Sequence, residues 1–328
     1  MQQYIIRRTL LNFVVIFLVA TMVFLALRVD PDNIVRDRAQ GCTTAETFEL
    51  CKEQARKELG LNRSIFRQYA SYMTDLAQLD LGKSFFTKKP VLAELKDRAG
   101  PSIQLGLMQI MVALVIALPI GVISAIRQDT WIDYLLRMVA IGFLGIPVFV
   151  LAVFVIVGTA RWSDDFGLNF LPDWLGVHGT WVDFFDNPIE NLKRTTGPAL
   201  VGGIGTGAII MRFLRSQMLE VLRQDYVRTA WAKGLKERVI VVRHALKNAL
   251  IPVLTIIGIL LGSIVSGNVV LEFLYNIPGI GFYIVSSIRQ FDYPVVQGAV
   301  LVVAVTLVFV NLLVDVAYGW LDPRIRYG

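Results

Sequence analysis

Histidine and cysteine are almost missing from this chain, with two of each in 328 residues. His178 and His244, even with Cys42 and Cys51, supply no ligand set for a structural zinc site. Two cysteines also exclude a scaffold held by a disulfide framework. Charge is scarce too, at 18% of residues, where a soluble domain carries about 25%. Four blocks contain no Asp, Glu, Lys, Arg or His at all: Ile103 to Ile126, Met138 to Ala160, Ala249 to Leu271 and Val295 to Val314. A chain so short of surface is neither a soluble enzyme nor a disordered segment. Its apolar residues, 55% of the total at a mean hydropathy of +0.58, lie in lengths that cross a bilayer.

A span takes about 20 mostly apolar residues, and six stretches qualify. Besides the four blocks, Thr9 to Leu27 is interrupted only by Asn12. Gly197 to Met211 reaches the length if its helix continues towards Leu222, with Arg212 and Arg215 snorkelling to the interface. The expectation is an all-α integral membrane protein with six transmembrane helices. Arg7 and Arg8 before the first stretch resemble the start of a signal peptide. The apolar length and the lack of a small-x-small site after Leu27 favour an uncleaved anchor instead. The chain then divides into an anchor helix at 1–28, a segment at 29–100 and a membrane core at 101–328.

Charge sets the expected orientation. Arg212 to Lys247 holds nine Lys/Arg against three acids, whereas Arg161 to Arg194 holds three against six. Short basic loops stay in the cytoplasm, so both termini are expected inside and the 29–100 segment outside. That segment, 13 basic residues against 11 acidic from Arg28 to Gly100, is long enough to translocate regardless of charge. The net charge of +6 follows from topology and gives no case for nucleic acid. Cys42 and Cys51 fall together in the outer segment. An oxidising exterior permits a bridge there, worth about 2–3 kcal/mol for so short a loop; two unpaired thiols are the alternative.

Two motifs mislead. Leu81-Gly82-Lys83-Ser84 ends like a phosphate-binding loop, but Ala77 stands where that loop needs its first glycine, and the segment is expected outside. Gly202-Gly203-Ile204-Gly205-Thr206-Gly207 mimics a dinucleotide fingerprint inside a span. Small residues there let helices approach closely, as Gly258 and Gly262 do in the fifth span. Asn62-Arg63-Ser64 matches a glycosylation triplet of a kind common by chance.

The stretch Asp225 to Pro252 reads DYVRTAWAKGLKERVIVVRHALKNALIP. Asp225 is a candidate N-cap for a helix from Tyr226 to Lys233, with Gly234 placed to end it at a left-handed position. A second helix is expected from about Lys236 through Ala245, with Val239, Val242 and Leu246 as its apolar face. Two short helices joined at a glycine between two spans make a docking surface; an ordinary basic loop is the bland alternative.

Here the sequence resembles the permease subunits of bacterial ATP-binding-cassette importers. Arg228-Thr229-Ala230, then three residues, then Gly234, looks like their EAA loop, with Leu246 and Pro252 at later motif positions. Arg228 replaces the glutamate of the motif, and Lys247 stands where many members have proline; both departures resemble the dipeptide and oligopeptide branch. Leu59-Gly60-Leu61-Asn62-Arg63, Gln68-Tyr69 and Asp80-Leu81-Gly82-Lys83-Ser84 look like the branch's outer segment. Tyr275 to Gly281 and Asp292 to Gly298 look like its last outer loop, and Asp322-Pro323-Arg324-Ile325-Arg326 like its C-terminus. One span before a long outer segment resembles the B-type partner of the permease pair. The insert around Cys42 to Cys51 and the Arg161 to Arg194 loop do not match.

The resemblance implies a type I importer membrane domain in the bacterial cell membrane, paired with a second homologous permease. It implies two ATPase subunits, or one fused ATPase, that bind ATP and Mg, while this chain binds no cofactor and is no enzyme. It also implies peptide substrate delivered by an external binding (lipo)protein. The coupling residues carried over are Asp225, Tyr226, Arg228, Thr229, Ala230, Lys233, Gly234, Leu246 and Pro252. Ala230 is expected in the docking groove and Lys236 at its rim.

An ion-coupled transporter acting alone is the rival reading. It would normally carry an intramembrane acid or histidine, which the long spans lack. Relatives of the branch carry dipeptides, longer peptides, glutathione or nickel chelates, so the substrate stays open. Gln104, Gln109, Thr206, Ser263, Ser266, Asn268 and Asn311, polar residues within the lipid-embedded spans, are candidates to line a permissive path; for each, a helix–helix hydrogen bond worth about 0.6 kcal/mol is the alternative. Asn276, Pro278, Gly279, Ile280 and Gly281 are expected to form a gate or scaffold loop, with Leu274, Ile280 and Phe282 dipping into the bundle.

Overall fold

The computed structural model describes residues 2–26, 28, 32, 35–36, 45–58, 60–165, 172–176, 179–265 and 268–321. Its elements, in chain order, are α1 (Gln2–Ala26), α2 (Ala45–Glu58), α3 (Ile65–Ala77), α4 (Val91–Ile126), α5 (Trp131–Gly145), α6 (Val148–Asp165), α7 (Pro188–Leu222), α8 (Asp225–Ala232), α9 (Lys247–Val265), α10 (Val269–Leu274), α11 (Ile280–Arg289) and α12 (Tyr293–Leu321). Cys42, His178, Ser266 and the C-terminal run Asp322 to Arg326 lie outside the described residues.

Among the described residues, five helices are long and apolar enough to span a membrane, and a sixth crossing requires α5 and α6 together. The third span is therefore not the straight helix expected from Met138 to Ala160. Its two halves meet at 96°. Pro147 clashes with a helical residue before it, so Ile146 adopts φ −89° and ψ 119° and the helix stops. The fourth span runs far beyond its apolar kernel, because Pro188 opens α7 behind the N-cap Asn187, whose side chain accepts the Glu190 N–H at 3.2 Å.

Helices α4 and α7 form the most extensive pairing, and the glycine run of α7 explains it. A Cβ on Gly202 would lie 2.6 Å from the Gln109 amide, and one on Gly203 2.6 Å from Val112. Backbones this close need small residues. Gly258 and Gly262 serve α9 similarly, against Val314 and Asn311 of α12. The main apolar core lies between α4, α5, α7 and α9, around Ala117, Met211, Leu214 and Ala249.

The bundle has two unlike faces. One, the loop-rich face, carries α2, α3, the 79–90 turn, α10 and α11. The other, the short-helix face, carries the α4–α5 turn, α8 and the approach to α9. At the second face Asp133 is fully buried and pairs with Arg215 through two bonds of 2.8 and 2.7 Å, with Ser124 donating at 2.5 Å. Arg215 thus binds a carboxylate rather than snorkelling. Such a pair, once formed, costs about 3–5 kcal/mol to break from one side, and it ties α5 to α7 just before the chain enters α8.

Candidate coupling segment, path residues and outer loop

Helix α8 begins one residue earlier than expected. Gln224 is its N-cap, without a side-chain cap bond, and Asp225 is the first helical residue, 3.5 Å from Arg228. Its C-terminus is a complete Schellman motif. The Leu235 N–H reaches the Ala230 carbonyl at 3.4 Å and the Gly234 N–H the Trp231 carbonyl at 2.9 Å. Gly234 has φ +74°, with open space where a Cβ would sit. Backbone conformation, not room, is what this position asks of its residue.

The second helix differs from expectation. After one turn at Glu237–Val239 the chain winds as a π-helix through Ile240–Leu246 and runs unbroken into α9. The widened turn rotates the sequence, so the buried residues are Ile240, Val241 and Ala245, while Val239 and Val242 stay exposed. Leu246 packs against the main core and Pro252 lies inside α9. Val227, Ala230 and Ile240 form a small cluster with Val221 and Leu222. Ala230 is thus covered by its own chain and does not line a groove open to a partner. The Tyr226 hydroxyl accepts from Asn248 at 2.8 Å, a second tie between α8 and α9. Facing outward are Tyr226, Trp231, Leu235, Val239 and Val242, among exposed Arg228, Thr229, Lys233 and Lys236.

Three of the candidate path residues meet. Asn268 donates to Gln109 at 2.7 Å, and Gln109 donates to Thr206 at 3.2 Å, linking the α9–α10 junction to α4 and α7. Gln104 instead bonds Asn191 of α7, which also donates to the Val182 carbonyl at 2.7 Å. Gln104, Gln109, Thr206 and Asn268 all stay partly exposed. Each therefore acts as a helix–helix tie while retaining an accessible side. Ser263 lies in α9, and its side chain is outside the described residues. Cys51 lies on α2.

The 268–292 stretch contains buried polar residues that carry little signal in the sequence pattern. Glu272, on α10, is fully buried, and its Oε2 accepts the N–H groups of Gly281 at 2.7 Å and Phe282 at 3.1 Å. Ser102 of α4 accepts the Ile280 N–H at 2.8 Å. The first three donors of α11 are thereby satisfied by side chains from two other helices. Gly279 and Gly281 make this possible: a Cβ at 279 would strike Glu272 and Ser102, and one at 281 would sit 2.5 Å from the Val269 Cα. Asn276, at φ +54°, ends α10, and Pro278 comes next in the turn. Burial pushes the Glu272 carboxyl above the ordinary glutamate value, against the lowering effect of Ser102 and the two amides. The only sequence signal for Glu272 was an acid directly after an apolar span.

Ile280 and Tyr283 are buried as well. Tyr283 donates to buried Glu94, and Arg98 lies 3.9 Å over the Tyr283 ring. At the end of the loop Asp292 accepts from Ser84 at 2.5 Å and from the Phe85 N–H at 3.1 Å. The motif that mimics a phosphate loop thus clasps the segment after the first span to the base of the last helix.

A family model described as binding-protein-dependent transport system inner membrane component matches residues 117–327. A second, for the N-terminal part of such membrane components, matches residues 1–106. The dipeptide transport system permease protein DppB of Alkalihalophilus pseudofirmus is 36% identical over 337 residues, covering all of both chains. The glutathione transport system permease proteins GsiC of Shigella flexneri and of Escherichia coli strain K12 are each 32% identical over 327 residues, again end to end. None of these findings supports an ion-coupled transporter acting alone.

Proposed function

The chain belongs to the family of inner membrane components of binding-protein-dependent transport systems, and we propose that it forms one half of a path along which short peptides enter the cell. It is a permease component of a peptide importer. Its partners are a second homologous permease, ATPase subunits that bind ATP and Mg, and an external protein that delivers the peptide. The short-helix face is cytoplasmic, as its excess of Lys and Arg requires, and both termini lie on that side. The loop-rich face receives the delivered peptide. The neutral ties among Gln104, Gln109, Thr206 and Asn268 offer donors and acceptors to a peptide backbone without selecting side chains. Which peptides are carried is set outside this chain.

One observation carries the mechanical part of this reading: α8 is closed by a full Schellman motif and fixed to a helix that continues into a span. Force applied to its exposed apolar residues reaches the bundle through Ile240 and Ala245 with no flexible joint. Trp231, Tyr226 and Leu235 are the contact points for an ATPase, and the surrounding cations meet acidic surface on it.

The test is uptake and substrate-stimulated ATP turnover by the reconstituted complex. Gly234→Val forces a β-branched residue towards φ > 0, a strain of about 1–2 kcal/mol. It is expected to insert and assemble normally yet lose uptake and stimulation together. Gly234→Asn, a residue that tolerates this conformation, restores most of both, and Lys236→Ala at the exposed rim stays near wild type. Normal coupling in Gly234→Val would make the segment a mere connector.

A further inference from the structure

The loop-rich face holds a cavity of about 520 Å³ between α3, the 79–88 turn and the start of α12. Its floor includes Gln297 and Leu301, one to two turns inside α12, and its wall includes Arg28, two residues past the α1 span. The cavity therefore sits at the level where two packed spanning helices leave the membrane. Its polar groups share one character. The Tyr72 hydroxyl and the Gln297 side-chain N–H are buried next to each other, and neither has a hydrogen-bond partner beyond that mutual contact, so donor capacity is left over that costs free energy unless an acceptor fills it. Arg28 is partly buried and held only by neutral groups: Gln68 Oε1 at 2.9 Å, the Phe24 carbonyl at 3.3 Å, and the Phe24 ring. Burial pushes its guanidinium down from the ordinary value. Arg63, Lys83 and Lys88 also line the cavity, and none makes an ion pair among the described residues. Two acids share the wall, and one of them, Asp80, is engaged by the Gly82 N–H at 2.8 Å.

Donors with capacity left over and cations without ion pairs around one space call for an acceptor-rich anion. The level of the site and its leucine floor decide among anions. We propose that this cavity binds the phosphate headgroup of an anionic phospholipid, with Arg28, Tyr72 and Gln297 as the inner donors and Arg63, Lys83 and Lys88 as the outer ring. The lipid holds the 60–90 segment against α1 and α12, at the position where Ser84 already clasps Asp292. The site lies apart from the polar ties of the proposed path and does not depend on how peptide crosses.

The experiment uses the assembled complex in bilayer discs containing equal amounts of phosphatidylglycerol and phosphatidylcholine, with native mass spectrometry of the retained lipid as the readout. Wild type is expected to retain phosphatidylglycerol preferentially. Removal of one lining cation, in Arg28→Gln or separately in Lys83→Gln, lowers that preference about fivefold. Lys83→Gln covers the case in which Arg28→Gln misfolds, since Lys83 is exposed. Lys96→Gln, an exposed cation on the same face outside the cavity, leaves the preference unchanged. Equal retention of the two lipids, or an equal loss in Lys96→Gln, overturns the proposal. Displacement of the lipid by millimolar inorganic phosphate overturns it in favour of a free anion. Retention that is unaltered in the cavity variants, with loss of binding-protein capture instead, assigns the cavity to an acidic protein surface and overturns it as well.

Discussion

Two short helices in this chain end in the same way and serve opposite ends of the bundle. Helix α8 stops at Gly234 and α10 at Asn276, each in the left-handed region, each with the same pair of closing bonds. The chain beyond each stop is held by different means. After Gly234 it is fixed by three apolar side chains and leaves aromatic and basic groups facing outward. After Asn276 it is fixed by polar side chains reaching from α4 and α10, and almost nothing apolar is left exposed before Ile288. The glycines separate the two designs. Gly234 is present for its φ, with free space around it, whereas Gly279 and Gly281 have ordinary φ and are present for lack of space. The first region presents a surface for something else to press on; the second is a latch complete within the chain.

The largest effect expected from this contrast is at Gly281. In Gly281→Ala the new methyl meets the backbone of Val269 at 2.5 Å, and backbone cannot rotate away. Overpacking of this kind costs about 1–3 kcal/mol, here at the upper end, and α11 has to lift from α10. The melting temperature of the permease pair should fall by several degrees, and protease should cut between 275 and 279. Gly234→Ala, strained in its backbone alone by about 1 kcal/mol, should lower the melting temperature less and leave 275–279 protected. Equal damage from both substitutions would erase the distinction.

Next in size is Ala230→Asp. The side chain at 230 faces Val227 and Ile240, so the substitution buries a carboxylate without a partner, which the protein resists strongly. The expected result is release of α8 from its own chain. Limited proteolysis at 223–236 should increase in the permease pair even without ATPase subunits. Should α8 remain protected there while uptake fails, Ala230 would face the ATPase after all.

Apolar length and charge asymmetry made the spans legible in the sequence, and the helix to Gly234 was readable because capping is local chemistry. The bend at Pro147 was missed because counting apolar residues ignores the Gly145-Ile146-Pro147 break. The exposure of Val239 and Val242 was missed because a period of 3.6 does not hold across a π-turn. Glu272, Ser102, Glu94 and Asp292 were missed for another reason. Their partners lie 9 to 208 residues away, and a lone buried acid carries no periodic mark. The polar candidates Gln109, Thr206 and Asn268 were visible as residue types, while their convergence was not.

The smallest and most specific test concerns the charge on the latch. A carboxylate at the N-terminus of α11 would gain from the helix dipole and from two N–H donors, which favours ionisation. Burial opposes it and dominates, so the Glu272 carboxyl is held above its ordinary value. Between the ordinary and the raised value the folded chain binds a proton that the unfolded chain has released. Stability from this group is therefore complete below the ordinary glutamate value and is lost as pH rises through the folded one. Glu272→Gln keeps an acceptor oxygen for Gly281 and Phe282 but has no proton to lose; its unpartnered amide costs about 1 kcal/mol. The difference in melting temperature between wild type and Glu272→Gln cancels the other titrating groups. It should favour wild type in acid and shrink as pH rises from about 4 towards neutrality. A difference that grows with pH would mean that the carboxylate is ionised in the latch and that the dipole and the two donors outweigh burial.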